Sequence, residues 1–446
     1  MAVTQIPNEL IEFGVKTFAT NSIMLGDTTT GTISGANNNT GFGIDVFEAL
    51  TSGQSNVAIG LDSLTALTTG NYNTGVGRLT LSSVTTNSNN TAVGGVALQN
   101  NTGSDNTAVG SSALTANTSA SNNTAVGSSA LLSNTVGNSN VALGYQAMNT
   151  NVQGDRAVAV GYQALYTQNP SSANEDTFNT AVGFSSMALT TTGINNTAVG
   201  AKSLESNTTA SDNTAIGFSA MLANTTGIRN TAVGRRALVS NTTGQDNEAF
   251  GRHALESNTT GSQNCGLGRA ALNANTTGNY NVGVGYGSVN STTANYNTGV
   301  GYRALGNCTT GAGNVAVGSD CLLSNTTGAS NTVVGTSAMD SLTTGVQNTA
   351  VGYQAGGAQT TAVSNTLVGY LAADYQNNLT TGSDNVVIGA YARTAAATTI
   401  ESVNIGRYVL GQGSTTITLG VNGNGVSIPA NNSTTSWSKH SDERLK

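Results

Sequence analysis

Along most of this chain, apolar and polar positions alternate for only three or four residues before a glycine resets the pattern. A representative unit reads Asn196-Thr197-Ala198-Val199-Gly200, two variable residues, Ser203-Leu204, then Asn207-Thr208-Thr209. The residue before the glycine is apolar in every unit, as at Val109, Val126, Leu143, Val160, Ile216 and Phe250. Two positions earlier the side chain is mostly β-branched: Thr107, Thr124, Val141, Val158. Alternate residues of a strand share a face, so these two columns point one way and the small residue between them points the other. Four positions after the glycine an apolar residue returns, as at Leu64, Leu114, Leu131, Met148, Leu165, Met221 and Leu255. β-Branched residues in short, glycine-bounded runs predict strand rather than helix.

The closing glycine recurs from Gly26 to Gly406, with a degenerate last member at Gly420. Of the 22 steps between Gly26 and Gly406, 18 are 17 residues, two are 16, and one each are 22 and 20. A disordered chain has no physical reason to hold such spacing; a stacked solenoid does, and the period is too short for helix-pair repeats. The predicted fold is an all-β solenoid of about 24 short coils stacked in parallel, a β-roll or β-helix with two short strands per coil and a length of about 115 Å. Residues 26–420 form this shaft, 1–25 an N-terminal attachment or capping segment with a possible short helix at Glu9–Phe13, and 421–446 a neck and tail.

Asn stands four residues before the glycine in 20 of the 21 units from Gly43 to Gly389, Ala157 being the exception. Stacked about 4.8 Å apart, such a column is either a ligand-binding array or a self-satisfying amide ladder at a tight turn, and the second is the more economical reading. The Asn-Thr-Thr-Gly segments, such as Asn224–Gly227, read as the second turn. Side-by-side apolar residues, as in Ala198-Val199, cover both faces of the strand. One face fills the coil, and the other is expected to meet another chain.

Composition narrows the function. Only 8% of the 446 residues are charged, and 15 Lys and Arg against 22 Asp and Glu give a net charge of -7, so no basic field exists to hold nucleic acid. No apolar run approaches the roughly 20 residues of a membrane helix, and Met1–Asn21 shows no secretory signal. Cys265, Cys308 and Cys321 fall at three different repeat positions and read as small buried thiols rather than a disulfide or metal site. His253 and His440 are too isolated for a zinc site or a triad. Asp45 and Asp62 share a register one coil apart, where a carboxylate pair is geometrically conceivable, but nearby Glu48 suits a solvated edge. No cofactor is expected.

The string Asn-Thr-Ala-Val-Gly-x-x-Ala-Leu, at Asn123–Leu131, resembles the head repeat of trimeric autotransporter adhesins, and the same repeat is similar to that of phage tail fibres. The resemblance covers roughly residues 26–420 and implies a left-handed parallel β-roll wound as a homotrimer. The longer period, and the expected absence of a signal peptide and a membrane-anchor barrel, favour the phage version over a bacterial surface adhesin. Ser441-Asp442-Glu443-Arg444-Leu445-Lys446 is similar to the junction of the intramolecular chaperone on tailspikes and endosialidases. That resemblance implies cleavage between Ser441 and Asp442, with Ser441 as nucleophile and Lys446 as base. The fibre would then be a self-processing precursor; no other enzymatic signature is present.

The residue just after the repeat glycine is variable and often aromatic or arginine: Tyr145, Tyr162, Phe184, Arg235, Arg252, Arg269, Tyr286 and Tyr302. Stacking brings these into one row, which either packs along a fibre side or binds glycans by ring stacking and hydrogen bonding. The irregular steps, Gln168–Asp176 and Ala372–Leu379, are further places for specific contacts. An ice-binding solenoid fits less well, because the threonines are adjacent or single rather than in T-x-T pairs. The expectation is a structural and host-attachment fibre of a phage tail, located on the virion outside the cell. It is joined to a tail or baseplate protein through residues 1–25, binds a host surface glycan or protein multivalently, and neither binds nucleic acid nor inserts in a membrane.

Overall fold

The computed structural model describes residues 14–18, 20–26, 30–173, 175–290, 293–376, 379–422 and 424–429. It is a β-solenoid of about 23 turns, with no helix among the described residues. Glu9–Phe13 lies outside them. The chain divides into two compact units, Met1–Thr226 and Gly227–Lys446. In the first, successive strands pair in parallel and in repeat register, for example Thr107 with Thr124, Ala108 with Ala125 and Val109 with Val126. The second repeats the scheme, with Thr349, Ala350 and Val351 opposite Thr366, Leu367 and Val368. An antiparallel hairpin, Gly14–Phe18 against Ser22–Gly26, begins the first unit, and another, Thr416–Val421 against Asn424–Pro429, ends the second. Each covers a sheet edge that would otherwise offer unpaired backbone groups.

Each regular coil carries one strand of three residues, not the two strands expected from the sequence. After Gly110 the chain turns repeatedly, and Ser112 and Leu114 adopt φ of +60° and +50°. These turns still bond along the stack: the Ser112 N–H donates to Gly95 O at 3.0 Å and the Leu114 N–H to Ala130 O at 3.0 Å. A left-handed leucine is rare, so the apolar column four residues after the glycine imitates a second strand in sequence. Within one coil, Ala108, Ala113, Leu114, Asn117, Ala120 and Asn123 are fully buried. Thr107 and Val109 point outward. The sequence establishes two strand faces; the structure assigns Ala to the inside and the Thr/Val pair to the outside.

The repeat glycine is required twice over. Gly110 has φ of +138°, and a Cβ there would lie 2.5 Å from the carbonyl oxygen of Gly127 in the next coil. Any side chain would force the coils apart there.

Two buried amide ladders run through the core. In the expected one, the Asn56 N–H and Nδ2 donate to Asn39 Oδ1 at 2.9 and 3.0 Å, and Nδ2 also reaches Gly70 O at 3.0 Å. At the exception, the Ala157 N–H still donates to Asn140 Oδ1 at 3.0 Å. The left-handed residue of this turn is the one before the ladder asparagine, as at Asn122 with φ of +61°. The second ladder uses the asparagine of Asn-Thr-Thr-Gly, which the sequence pattern places in a turn without revealing that it points inward. Asn134 Nδ2 donates to Asn117 Oδ1 at 3.0 Å and to Gly137 O at 2.9 Å. The next threonine extends the stack outside, with Thr259 Oγ1 donating to Thr276 O at 3.0 Å.

Candidate functional site

The outward strand face is apolar and open. In the first unit Val141, Leu143, Val199 and Ile216 are exposed, and in the second Phe250, Leu267, Val334, Val351, Ile388 and Ile405. Val199, which reads from sequence as part of an apolar column, keeps 37% of its surface in solvent. Such repetition differs from the scattered single apolar residues of an ordinary surface.

Beside this face runs the row that follows the repeat glycine, and the structure brings its members together within each unit. Tyr145 and Tyr162 stack with ring centroids 5.5 Å apart, and Tyr162 and Phe184 stack at 5.1 Å. In the second unit Tyr286 and Tyr302 stack at 5.4 Å, and the Arg269 guanidinium lies 5.4 Å from the Tyr286 ring centre. Arg235, Arg252 and Arg269 are exposed at the same repeat position. Backbone bonds hold the row: Arg235 O accepts from the His253 N–H at 3.1 Å, Arg252 O from Ala270 at 3.0 Å and Arg269 O from Gly287 at 3.1 Å. Its spacing is therefore set by the stack rather than by side-chain contacts.

Two neighbouring arginines, Arg229 and Arg236, pair with acids at other repeat positions. Arg229 holds Asp246 in a fork, Nε to Oδ1 at 2.7 Å and Nη2 to Oδ2 at 3.0 Å, which draws the Asp246 carboxyl below its ordinary pKa. Glu256 accepts from Arg236 Nε at 2.7 Å and Asn273 Nδ2 at 2.9 Å, and His253 Nδ1 lies 2.8 Å away. Burial raises the Glu256 pKa, but hydrogen bonds from Asn273, Arg236 and His253 outweigh it and the net direction is down.

The irregular coils carry features of their own. In the first, Glu175–Asp176 pairs in parallel with Gly154–Asp155, Arg156 forms an ion pair with Asp176, and Gln168 enters the core to accept from Asn179 Nδ2 at 2.9 Å. A groove in the same unit is lined by Gln163, Tyr166, Ser185, Ala188, Leu189, Glu205 and Ser206. In the second, Tyr375 meets Tyr391 edge-on at 5.0 Å, and Tyr391 stacks on Tyr408 at 4.5 Å. Arg393 lies over Tyr375 at 5.5 Å. Tyr391 and Tyr408 are missed by a reading of the position directly after the glycine, because they stand one residue later.

Cys308 and Cys321 are buried, and Cys265 is partly exposed, unlike the buried thiol expected there. Among the described residues no group of three or more His, Cys, Asp and Glu is placed to hold a metal ion, and no helix is long and apolar enough to cross a membrane. Ser441 and Lys446 lie outside the described residues. The chain matches no known family and no curated protein.

Proposed function

We propose that this chain is the shaft and receptor-binding part of a phage tail fibre, assembled as a homotrimer and carried on the virion outside the cell. The observation that carries this reading is the outward apolar strand face, half-buried in some coils and exposed in others of each unit, beside an exposed aromatic and arginine row. A core built of Ala, Leu and Asn leaves the valine face only partly covered in a single chain. Sibling copies are the natural cover, since every copy presents the same repeat. The repeat's similarity to adhesin heads and tail fibres supports the same assembly, a left-handed roll included.

In this reading residues 1–25 join the fibre to the tail or baseplate. The row Tyr145, Tyr162, Phe184, Arg235, Arg252, Arg269, Tyr286 and Tyr302 meets a host surface glycan or protein. Three copies of a row turn weak contacts into avidity without any single strong site. The test is binding of the purified full chain, fluorescently labelled, to a panel of bacteria, with inhibition of plaque formation on any strain bound. Saturable binding that blocks infection supports the proposal; a chain that binds no strain and blocks no phage contradicts it.

A further inference from the structure

The groove of the first unit arises from a change of side-chain size at two repeat positions. Two residues after the repeat glycine, successive coils place Gln163, Ser185 and Lys202; five residues after it they place Tyr166, Ala188 and Glu205. The middle coil carries the short side chain at both positions. Backbone bonds hold its neighbours in line, the Thr167 N–H donating to Ala188 O at 3.1 Å and the Leu189 N–H to Glu205 O at 3.0 Å. With coils about 4.8 Å apart, the backbones at Tyr166 and Glu205 are about 9.6 Å from each other across Ala188, room for one saturated ring. The groove has a volume of about 490 Å³, within the range of about 300–1,000 Å³ usual for small-molecule sites.

Polar groups with spare hydrogen-bonding capacity line it. Ser185 is 6% exposed, yet its hydroxyl has no hydrogen-bond partner among the described residues, which is uncommon for a buried polar group. Gln163 Nε2 donates to Gln146 Oε1 at 2.9 Å, which leaves its own amide oxygen free to accept. Glu205 is the one charged residue of the lining, and Lys202 Nζ lies 3.4 Å from its carboxylate, so the groove offers acceptor oxygens without net charge. The half-buried Tyr166 and the exposed Leu189 supply apolar surface.

We infer that this groove is a subsite for one neutral sugar residue, a hexopyranoside at the end of a glycan. The C–H face of the sugar would lie on Tyr166, and its hydroxyls would donate to Glu205 and the Gln163 amide oxygen and pair with the Ser185 hydroxyl. A flat aromatic ligand would leave those polar groups unpaired, and a charged sugar would find no free counter-charge. No lining residue belongs to a strand, so the site does not use the strand face assigned to assembly. This inference rests on the attachment reading and adds to it a site outside the aromatic and arginine row.

The test is saturation-transfer NMR on the full chain with maltose, lactose, mannobiose and diacetylchitobiose, and with N-acetylneuraminic acid and digalacturonate as charged counterparts. At least one neutral disaccharide should bind, about tenfold or more tightly than either charged probe. Ala188→Leu fills the groove with the residue that the fold already carries at this repeat position as Leu222. Its melting curve should match the parent's while affinity falls roughly 30-fold or more, and Tyr166→Ala should cost about tenfold. Binding of none of the four neutral sugars, equal affinity in Ala188→Leu, or tighter binding of a charged probe would overturn the subsite. If the parent binds bacterial cells but no neutral sugar, attachment stands and the subsite falls; if it binds a neutral sugar through the groove but no cells, the subsite stands and attachment falls.

Discussion

Replacing Asn325 with leucine should stabilise the protein, although the same exchange at Asn117 should damage it. Both residues are fully buried in the second amide ladder. Asn117 is well served: its Nδ2 donates to Asn101 Oδ1 at 2.5 Å and Ala120 O at 3.0 Å, and its Oδ1 accepts from Asn134 at 3.0 Å. Asn325 stands between Cys308 and Leu342 in the column, and neither its Nδ2 nor its Oδ1 has a partner. Leu342 interrupts the ladder, and the residue on its other side, Gln359, is likewise left with both side-chain polar atoms unsatisfied. A buried unsatisfied polar group costs about 1–3 kcal/mol, and the column already accepts leucine at Leu50 and Leu67. Asn325→Leu should therefore gain about 2 kcal/mol, the middle of that range. Asn117→Leu, which strands the amides above and below, should lose about 2–4 kcal/mol. Guanidinium denaturation of the two variants reads the sign, and hydrogen exchange at the neighbouring coils locates it, because solenoid stability is a sum over coils and their interfaces. Shifts in the same direction for both variants would refute the argument that ladder continuity decides the energy.

Other expectations follow from the same geometry. Val199→Asp should change the stability of a separated single chain by less than about 1 kcal/mol, because Val199 is an exposed residue. It should cost several kcal/mol in an assembly that buries the strand face, so melting curves of separated and assembled chains should diverge. Deleting Thr243 should be tolerated, since the natural 16-residue coil Gly94–Gly110 keeps Thr91 opposite Thr107; deleting Ala249 should shift Phe250 to the wrong face, and circular dichroism with melting compares the two. Asp340 has a raised pKa, first through burial and then through the charge of Asp320, so its ionised form weighs against folding at neutral pH. Asp340→Asn should raise the melting temperature at pH 7, and the gain should vanish as pH falls below the ordinary carboxyl value of 3.8. Burial pushes the Cys321 thiol up to about 12, so iodoacetamide at pH 8 should label the partly exposed Cys265 first; equal rates would contradict the burial pattern.

The period, the stacking direction and the first amide ladder are legible in the sequence because identical residues recur at fixed intervals, and a recurring asparagine has few other physical uses. The exposed row is legible for the same reason. What escapes is conformation that no residue type announces. Leu114 in a left-handed turn has the same sequence signature as a leucine on a strand, so one strand per coil looks like two in the sequence. Asn117 and Asn134 share their turn with the less buried Thr118 and Thr135, and nothing in Asn-Thr-Thr-Gly shows that the amide points inward. The tyrosine corner of Tyr375, Tyr391 and Tyr408 depends on a three-residue insertion and a one-residue shift, which breaks the register that makes the rest readable.

Multi-angle light scattering on the purified full chain tests most directly whether the open valine face is an assembly surface. Three copies would give a particle of three times the 44.7 kDa of one chain, falling apart when Val199 and Val351 are both changed to Asp. A monodisperse 44.7 kDa particle that stays soluble with that face uncovered would contradict the account.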